Sequence, residues 1–287
     1  MKLALGTVQF GTNYGAFNQA GRPDEAAVAA CLDRAEAAGI DTLDTARAYG
    51  TSEEVLGRLG AAHRFRIVTK VAPLCGAGAD AVLRSVEASL GALGIDRIGA
   101  LMMHEAADLD GPSGDTIWAA LARLRDEGVI GQAGVSVYAP ETATALAGRY
   151  PIGIVQAPFS AFDQRMRSSG ALAALKQANV EVHVRSAFLQ GFALADPTAL
   201  PAHLAPWRTL LERFRADAAA VGLSPLQLAL AAVQDVPEID RVVVGVDGPA
   251  QLEEILEASA SALPGLDSGL YASDDLQLIN PGKWNAG

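Results

Sequence analysis

The run Arg66-Ile67-Val68-Thr69-Lys70, the helical segment Ala79–Leu93 that Gly94 closes, and the run Ile98-Gly99-Ala100-Leu101-Met102 together decide the fold. Two short apolar runs separated by a longer segment with helical spacing make a βαβ unit. Its parallel strands need the crossover helix between them. The unit recurs in both directions. Upstream, Leu3–Gly6 precedes a helix over Asp24–Ala38, and Ile40–Asp44 precedes one over Ser52–Gly60. Downstream, the strand Ile98–Met102 leads to a helix over Gly114–Glu127. Ile130–Ser136 is followed by Pro140–Ala147, Ile154–Gln156 by Ser168–Ala178, Glu181–Arg185 by Trp207–Ala220, and Arg241–Val244 by Pro249–Ser259. An additional helix, Ser224–Val233, fills the gap before the last strand. Strands alternating with helices imply right-handed crossovers and a parallel sheet. Eight such pairs suit a closed (β/α)8 TIM barrel. A Rossmann sheet would need G-x-G-x-x-G at the first strand–helix turn, and the spacing Gly6…Gly11…Gly15 does not supply it.

The punctuation agrees with this reading. Asp24 and Glu25 sit where a helix start favours acids, Pro23 precedes them, and Gly39, Gly94 and Gly128 follow helix ends. No proline-rich linker or charge block divides the chain, so residues 1–287 read as one domain, with 260–287 as a C-terminal loop or tail.

Composition narrows the partners. The chain has 287 residues, half of them hydrophobic, with 22 Lys and Arg against 33 Asp and Glu, for a net charge of -11. Such a surface repels phosphate backbones, so no nucleic-acid partner is expected. Two cysteines, Cys31 and Cys75, suit a reducing compartment. No apolar run is long enough to cross a membrane, and a cytoplasmic protein is expected. The four histidines lack metal-site spacing, and no metal is expected.

In a barrel the chemistry gathers where strands end. The second predicted strand ends at Asp44, with Tyr49 five residues on. The third ends at Lys70, and the fourth runs out at His104. Each has a plain alternative: a loop acid, a packing tyrosine, a solvated lysine, a structural histidine. Lys70, however, closes an apolar run and is followed by Val71-Ala72-Pro73, which keeps its ammonium in the barrel mouth. A buried ammonium needs a carboxylate partner, and Asp44 on the adjacent strand is the nearest candidate. An ammonium beside a phenol favours the phenolate that proton donation leaves behind. Tyr49 then suits a general acid, with His104 donating a hydrogen bond to a substrate oxygen.

At these residues the chain resembles the aldo-keto reductases. The resemblance rests on Leu5-Gly6-Thr7, on Leu43-Asp44-Thr45-Ala46-Arg47-Ala48-Tyr49-Gly50-Thr51-Ser52-Glu53, on Thr69-Lys70, His104, Gly134-Val135-Ser136 and Gln156, and on Ser186 with the Gln190-Gly191 turn. It spans residues 3–256 and implies a metal-free barrel that reduces aldehydes or ketones with NADPH, NADH not excluded. The catalytic tetrad it implies is Asp44, Tyr49, Lys70 and His104. The cofactor-binding residues it implies are Thr7, Ser136, Gln156, Arg185, Ser186, Phe188, Gln190, Gly245, Gln251 and Glu254. The chain enters its first strand without the β-hairpin that usually opens the family's barrel, and it departs from the pattern at three places around the site. Ser136-Val137 stands where the family has Ser-Asn, Arg185 stands where many members place an aromatic, and Gly245–Gln251 lacks the cations that hold a 2′-phosphate. For Arg185 two placements are expected, beside the nicotinamide or turned onto a barrel carboxylate. The expected partner is a small-molecule carbonyl compound, sugar-like ones included. Two other functions fit the same residues: a Schiff-base aldolase using Lys70, and a cofactor-binding regulatory barrel with little turnover.

Overall fold

The computed structural model describes residues 1–18, 21–263 and 265–284. Its strands are β1 (Leu3–Gly6), β2 (Thr42–Asp44), β3 (Arg66–Val71), β4 (Ile98–Met103), β5 (Ile130–Ser136), β6 (Ile154–Pro158), β7 (Glu181–Arg185) and β8 (Arg241–Gly245). Each pairs in parallel with its neighbours in sequence, and β8 returns to β1, closing the barrel. Helices α1 (Glu25–Ala37), α2 (Ser52–Arg58), α3 (Ala79–Leu93), α4 (Gly114–Asp126), α5 (Pro140–Arg149), α6 (Ala171–Gln177), α7 (Arg208–Ala220), α8 (Pro225–Gln234) and α9 (Pro249–Ala258) connect them. This is the (β/α)8 TIM barrel expected from the alternation, and an open Rossmann sheet is excluded.

Several boundaries move by one to three residues, and two of these shifts have a clear local reason. The predicted strand Ile40–Asp44 begins only at Thr42, because Ile40 belongs to the end of α1. Its N–H reaches the Ala35 carbonyl and the Gly39 N–H reaches Glu36, with Gly39 at φ +80°. The predicted helix Ser168–Ala178 begins at Ala171, since Gly170 at φ +80° separates it from a single turn, Arg165–Ser168.

Four residues with almost no exposure, Val68, Ala100, Met102 and Ile154, form a small cluster drawn from β3, β4 and β6. A larger apolar layer joins strands to helices. A separate cluster gathers Phe162, Phe192, Phe214 and Tyr271 from four distant stretches of chain. Tyr271, in the segment read as a tail, is fully buried there and donates to Asp217 at 2.9 Å. At the start of the strands Arg66 spans to Glu181 at 2.6 and 2.9 Å, and His183 meets the same carboxylate at 2.7 Å. Among the described residues no single helix is long and apolar enough to cross a membrane. Strand register sets Gly6 level with both Asp44 and Gly245, and Ser136 level with Gln156, so the candidate residues share one rim.

Candidate active site

The turn after β2 is built around buried polar groups. The Ser52 hydroxyl donates to the Thr7 carbonyl at 2.9 Å and lies 2.8 Å from the Thr7 hydroxyl, binding the start of α2 to the end of β1. Glu53, 1 % exposed, accepts from Arg47 at 2.6 Å, from Thr69 at 2.7 Å and from Ser89 at 3.1 Å. A carboxylate so enclosed is tolerable because its lone pairs are answered. Gly11 presses on this turn: a Cβ there would stand 1.8 Å from the Tyr49 carbonyl oxygen. Gly50, at φ +57°, lets the chain double back beside it. Tyr49 is thus held by close backbone contact as well as by its own side chain.

Beneath Tyr49, Lys70 is 1 % exposed and fully committed. Its Nζ donates to Asp44 Oδ1 at 2.8 Å, Asp44 Oδ2 at 2.7 Å and the Thr45 carbonyl at 3.0 Å, and lies 3.5 Å from the Tyr49 hydroxyl. Burial alone would push this lysine down. The Asp44 carboxylate and the Tyr49 oxygen outweigh it and leave Lys70 above the ordinary lysine value. Gln156 Nε2 donates to Asp44 Oδ1 at 2.7 Å. The His104 ring meets the Tyr49 ring edge-on, centroids 5.9 Å apart. Burial, reinforced by the Lys70 charge, pushes His104 down to about 4, so its imidazole is neutral at pH 7. The structure therefore brings Asp44, Tyr49, Lys70 and His104 together from three consecutive strand ends.

A cavity of about 410 Å³ opens over Asp44 and Tyr49, with Lys70 and His104 outside its lining, and runs to the start of α9. Of the residues read as cofactor-binding, all but Ser136 line it: Thr7, Gln156, Arg185, Ser186, Phe188, Gln190, Gly245, Gln251 and Glu254. Ser136 is buried behind that wall. Ser186, Leu189 and Gln190 all take positive φ, so the loop after β7 is held in a costly conformation that shapes the cavity. Gly245 leaves room for the Gln9 side chain, which a Cβ would meet at 2.6 Å.

Arg185 does not turn onto a barrel carboxylate among the described residues, the second of its two expected placements. Its guanidinium lies 4.2 Å from the centre of the Tyr138 ring and donates to the Val137 carbonyl at 3.2 Å, while still lining the cavity. The sequence reading missed Tyr138 against Arg185, and it missed Gln9, Tyr14, Asn18 and Asp247 in the cavity wall. Tyr14, Gln9 and Asn18 lie in the long β1–α1 connection, which carries no motif. Asp247 was in view only as part of a loop without cations.

Three buried acceptor or ring atoms at the site lack a partner among the described residues: Gln9 Oε1, Gln156 Oε1 and His104 Nδ1. Gln156 is 1 % exposed, and an orphaned oxygen there suits a ligand donor such as a carboxamide N–H. With the glycine-lined groove beside it, this donor set fits a nicotinamide dinucleotide.

A family model described as the aldo/keto reductase family matches residues 2–267. An aldo-keto reductase of Mycobacterium sp. (strain KMS) is 39 % identical over 122 residues, 41 % of this chain and 42 % of that protein. The oxidoreductase sirO of Leptosphaeria maculans is 42 % identical over 77 residues, 25 % of this chain and 23 % of that protein. The chain thus aligns with less than half the length of these curated relatives. A Pseudomonas aeruginosa protein crystallised as a candidate aldo-keto reductase superposes with a TM-score of 0.69 at 26 % identity, covering 90 % of this chain and 89 % of the other. The holo form of an aldo-keto reductase from Bacillus halodurans shares the fold, with a TM-score of 0.74 at 21 % identity over 94 % and 90 % of the two chains.

Proposed function

This chain belongs to the aldo/keto reductase family, oxidoreductases that act on small-molecule carbonyl compounds, and from that premise we propose that it reduces an aldehyde or ketone to an alcohol with Tyr49 as general acid. The observation that carries the reading is the Lys70 ammonium, set between both Asp44 oxygens and the Tyr49 hydroxyl. When bound, a reduced nicotinamide dinucleotide supplies hydride to the carbonyl carbon. Gln156 and the loop from Ser186 to Gln190 would hold it in the groove, with Gly245 allowing close approach.

Negative charge then grows on the carbonyl oxygen, and Tyr49 answers it by giving up its hydroxyl proton. Lys70 stabilises the phenolate left behind, and Asp44 keeps Lys70 charged and in place. His104, neutral at working pH, donates one ring N–H to the same oxygen without bringing a second positive charge into the site. The depth of the group, with Asp44 3 % and Lys70 1 % exposed, excludes water and strengthens each of these interactions.

A Schiff-base aldolase has no support here. Lys70 is charged rather than free-base, and all its hydrogen bonds are engaged. The deciding experiment supplies purified protein with NADH or NADPH and a panel of aldehydes and ketones, neutral and sugar-like. Oxidation of the nucleotide with equimolar alcohol formed is the expected result. Nucleotide binding without turnover on any carbonyl would favour the regulatory reading instead.

A further inference from the structure

The groove has opposite charge at its two ends. At the chemical end Arg185 lines the wall, and its field reaches His104 and Tyr14. At the far end, between β8 and the start of α9, stand Asp247 and Glu254. Asp247 is fixed in place. Its Oδ1 accepts from Asn18 Nδ2 at 3.0 Å, its Oδ2 accepts from Gln251 Nε2 at 3.2 Å, and its own N–H donates to Gln251 Oε1 at 2.8 Å. Among the described residues lining the groove, Arg185 is the one cation. Arg34, which reaches across from α1, is taken up by Glu253.

We infer that this groove binds NADH in preference to NADPH, and that Asp247 is the residue that decides it. The inference rests on the nicotinamide reading above. An extended dinucleotide with its nicotinamide beside Tyr49 and the orphaned Gln156 oxygen must lay its adenosine toward the β8–α9 end of the same groove. An unphosphorylated ribose brings two hydroxyl donors to that end, and a carboxylate is acceptor-only. A 2′-phosphate brings further negative charge to a wall that holds two carboxylates and no Lys or Arg to form a charge-assisted bond. The start of a helix would ordinarily welcome such an anion. Asp247, just before α9, already places a negative charge there. The family resemblance puts NADPH first; the charge of this particular wall argues for the reverse.

The test reads binding rather than turnover. Kd values for NADH and NADPH come from fluorescence titration of wild type, Asp247→Asn, Asp247→Arg and Glu254→Gln, each checked for a wild-type circular dichroism spectrum. Wild type should bind NADH at least about tenfold more tightly, since like charges brought together at an interface are strongly disfavoured. Added salt should narrow the gap by screening the repulsion. Asp247→Asn, which keeps hydrogen-bonding capacity, should narrow it too, and Asp247→Arg should invert it. Equal or tighter NADPH binding in wild type overturns the inference, as does an unchanged ratio in Asp247→Asn, whatever Glu254→Gln does. Binding of neither nucleotide overturns the nicotinamide reading itself and takes this inference with it.

Discussion

Lys70 Nζ stands 3.5 Å from the Tyr49 hydroxyl while gripping both oxygens of Asp44. The cation is thus presented to the phenol by a carboxylate on the adjacent strand, and its position is set by the β2–β3 register that pairs Asp44 with Val68, two residues before Lys70. Such an ion pair is a poor source of stability but an effective positioning device, because neither partner can move without stranding the other.

Tyr49→Phe removes the proton donor and leaves the ring. We expect kcat for carbonyl reduction to fall ~10²–10⁴-fold, the usual worth of a positioned acid, with nucleotide Kd unchanged. Steady-state kinetics paired with fluorescence titration checks both halves. A near-wild-type rate removes Tyr49 from the mechanism.

The Asp44–Lys70 pair separates chemistry from stability. Lys70→Met should lower kcat while the fold survives, since a buried carboxylate retains Gln156 as a donor. Asp44→Asn strands a buried ammonium and should cost about 3–5 kcal/mol by chemical denaturation. In wild type the lysine sits above its ordinary value of 10.5, so the stability that its own protonation contributes is fully present below that value. It is lost only as pH rises through the raised value. A stability profile that falls off well below pH 10 in wild type, but not in Lys70→Met, contradicts this assignment.

His104 faces Tyr49, Lys70, Asp44 and Arg185, and its pKa is depressed to about 4 from 6.5. The unfolded chain therefore binds a proton there at a pH where the folded one does not. His104 should erode stability as pH falls from about 6.5 to 4, and leave it untouched above. His104→Gln should flatten that part of the denaturation profile and, as a neutral donor, retain more reductase activity than His104→Ala. Identical acid limbs in wild type and His104→Gln would show that the imidazole titrates alike in the folded and unfolded chain, against the depressed value.

The eight strands were legible because most are apolar and largely buried, and helix caps that follow simple rules bound them, as at Gly39 and Gly128. Asp44, Tyr49, Lys70 and His104 were legible because they close consecutive strands. What stayed hidden depends on contacts between distant loops. Nothing near Asn18 announces that its amide reaches Asp247. Nothing near Val137 announces that Tyr138 lies over Arg185. Gly11 is another such case, read only as a failed fingerprint position. Its role is to let backbone touch backbone at Tyr49. Gly11→Ala should therefore displace that turn and lower both thermal stability and kcat, measurable by melting and kinetics. Full activity in that variant would show that the Tyr49 turn tolerates the shift.

The last prediction concerns Arg185. Stacking on Tyr138 and bonding to the Val137 carbonyl fix the guanidinium at the groove wall, with its remaining N–H donors uncommitted to any carboxylate among the described residues. A cation–π contact leaves the full positive charge in place. An oxidised nicotinamide ring is cationic and a reduced one is neutral, so a fixed guanidinium nearby disfavours the oxidised form. The wild-type protein should then bind reduced nucleotide more tightly than oxidised, with the nicotinamide end carrying the difference. Arg185→Ala should shrink that ratio several-fold, and Arg185→Lys should keep part of it by keeping the charge while losing the planar stack. Tyr138→Leu tests the support: the guanidinium loses its shelf, so the ratio should fall between wild type and Arg185→Ala. Kd values for oxidised and reduced forms of one nucleotide across these four proteins decide it. Equal affinities for the two forms in wild type would place Arg185 too far from the ring to matter.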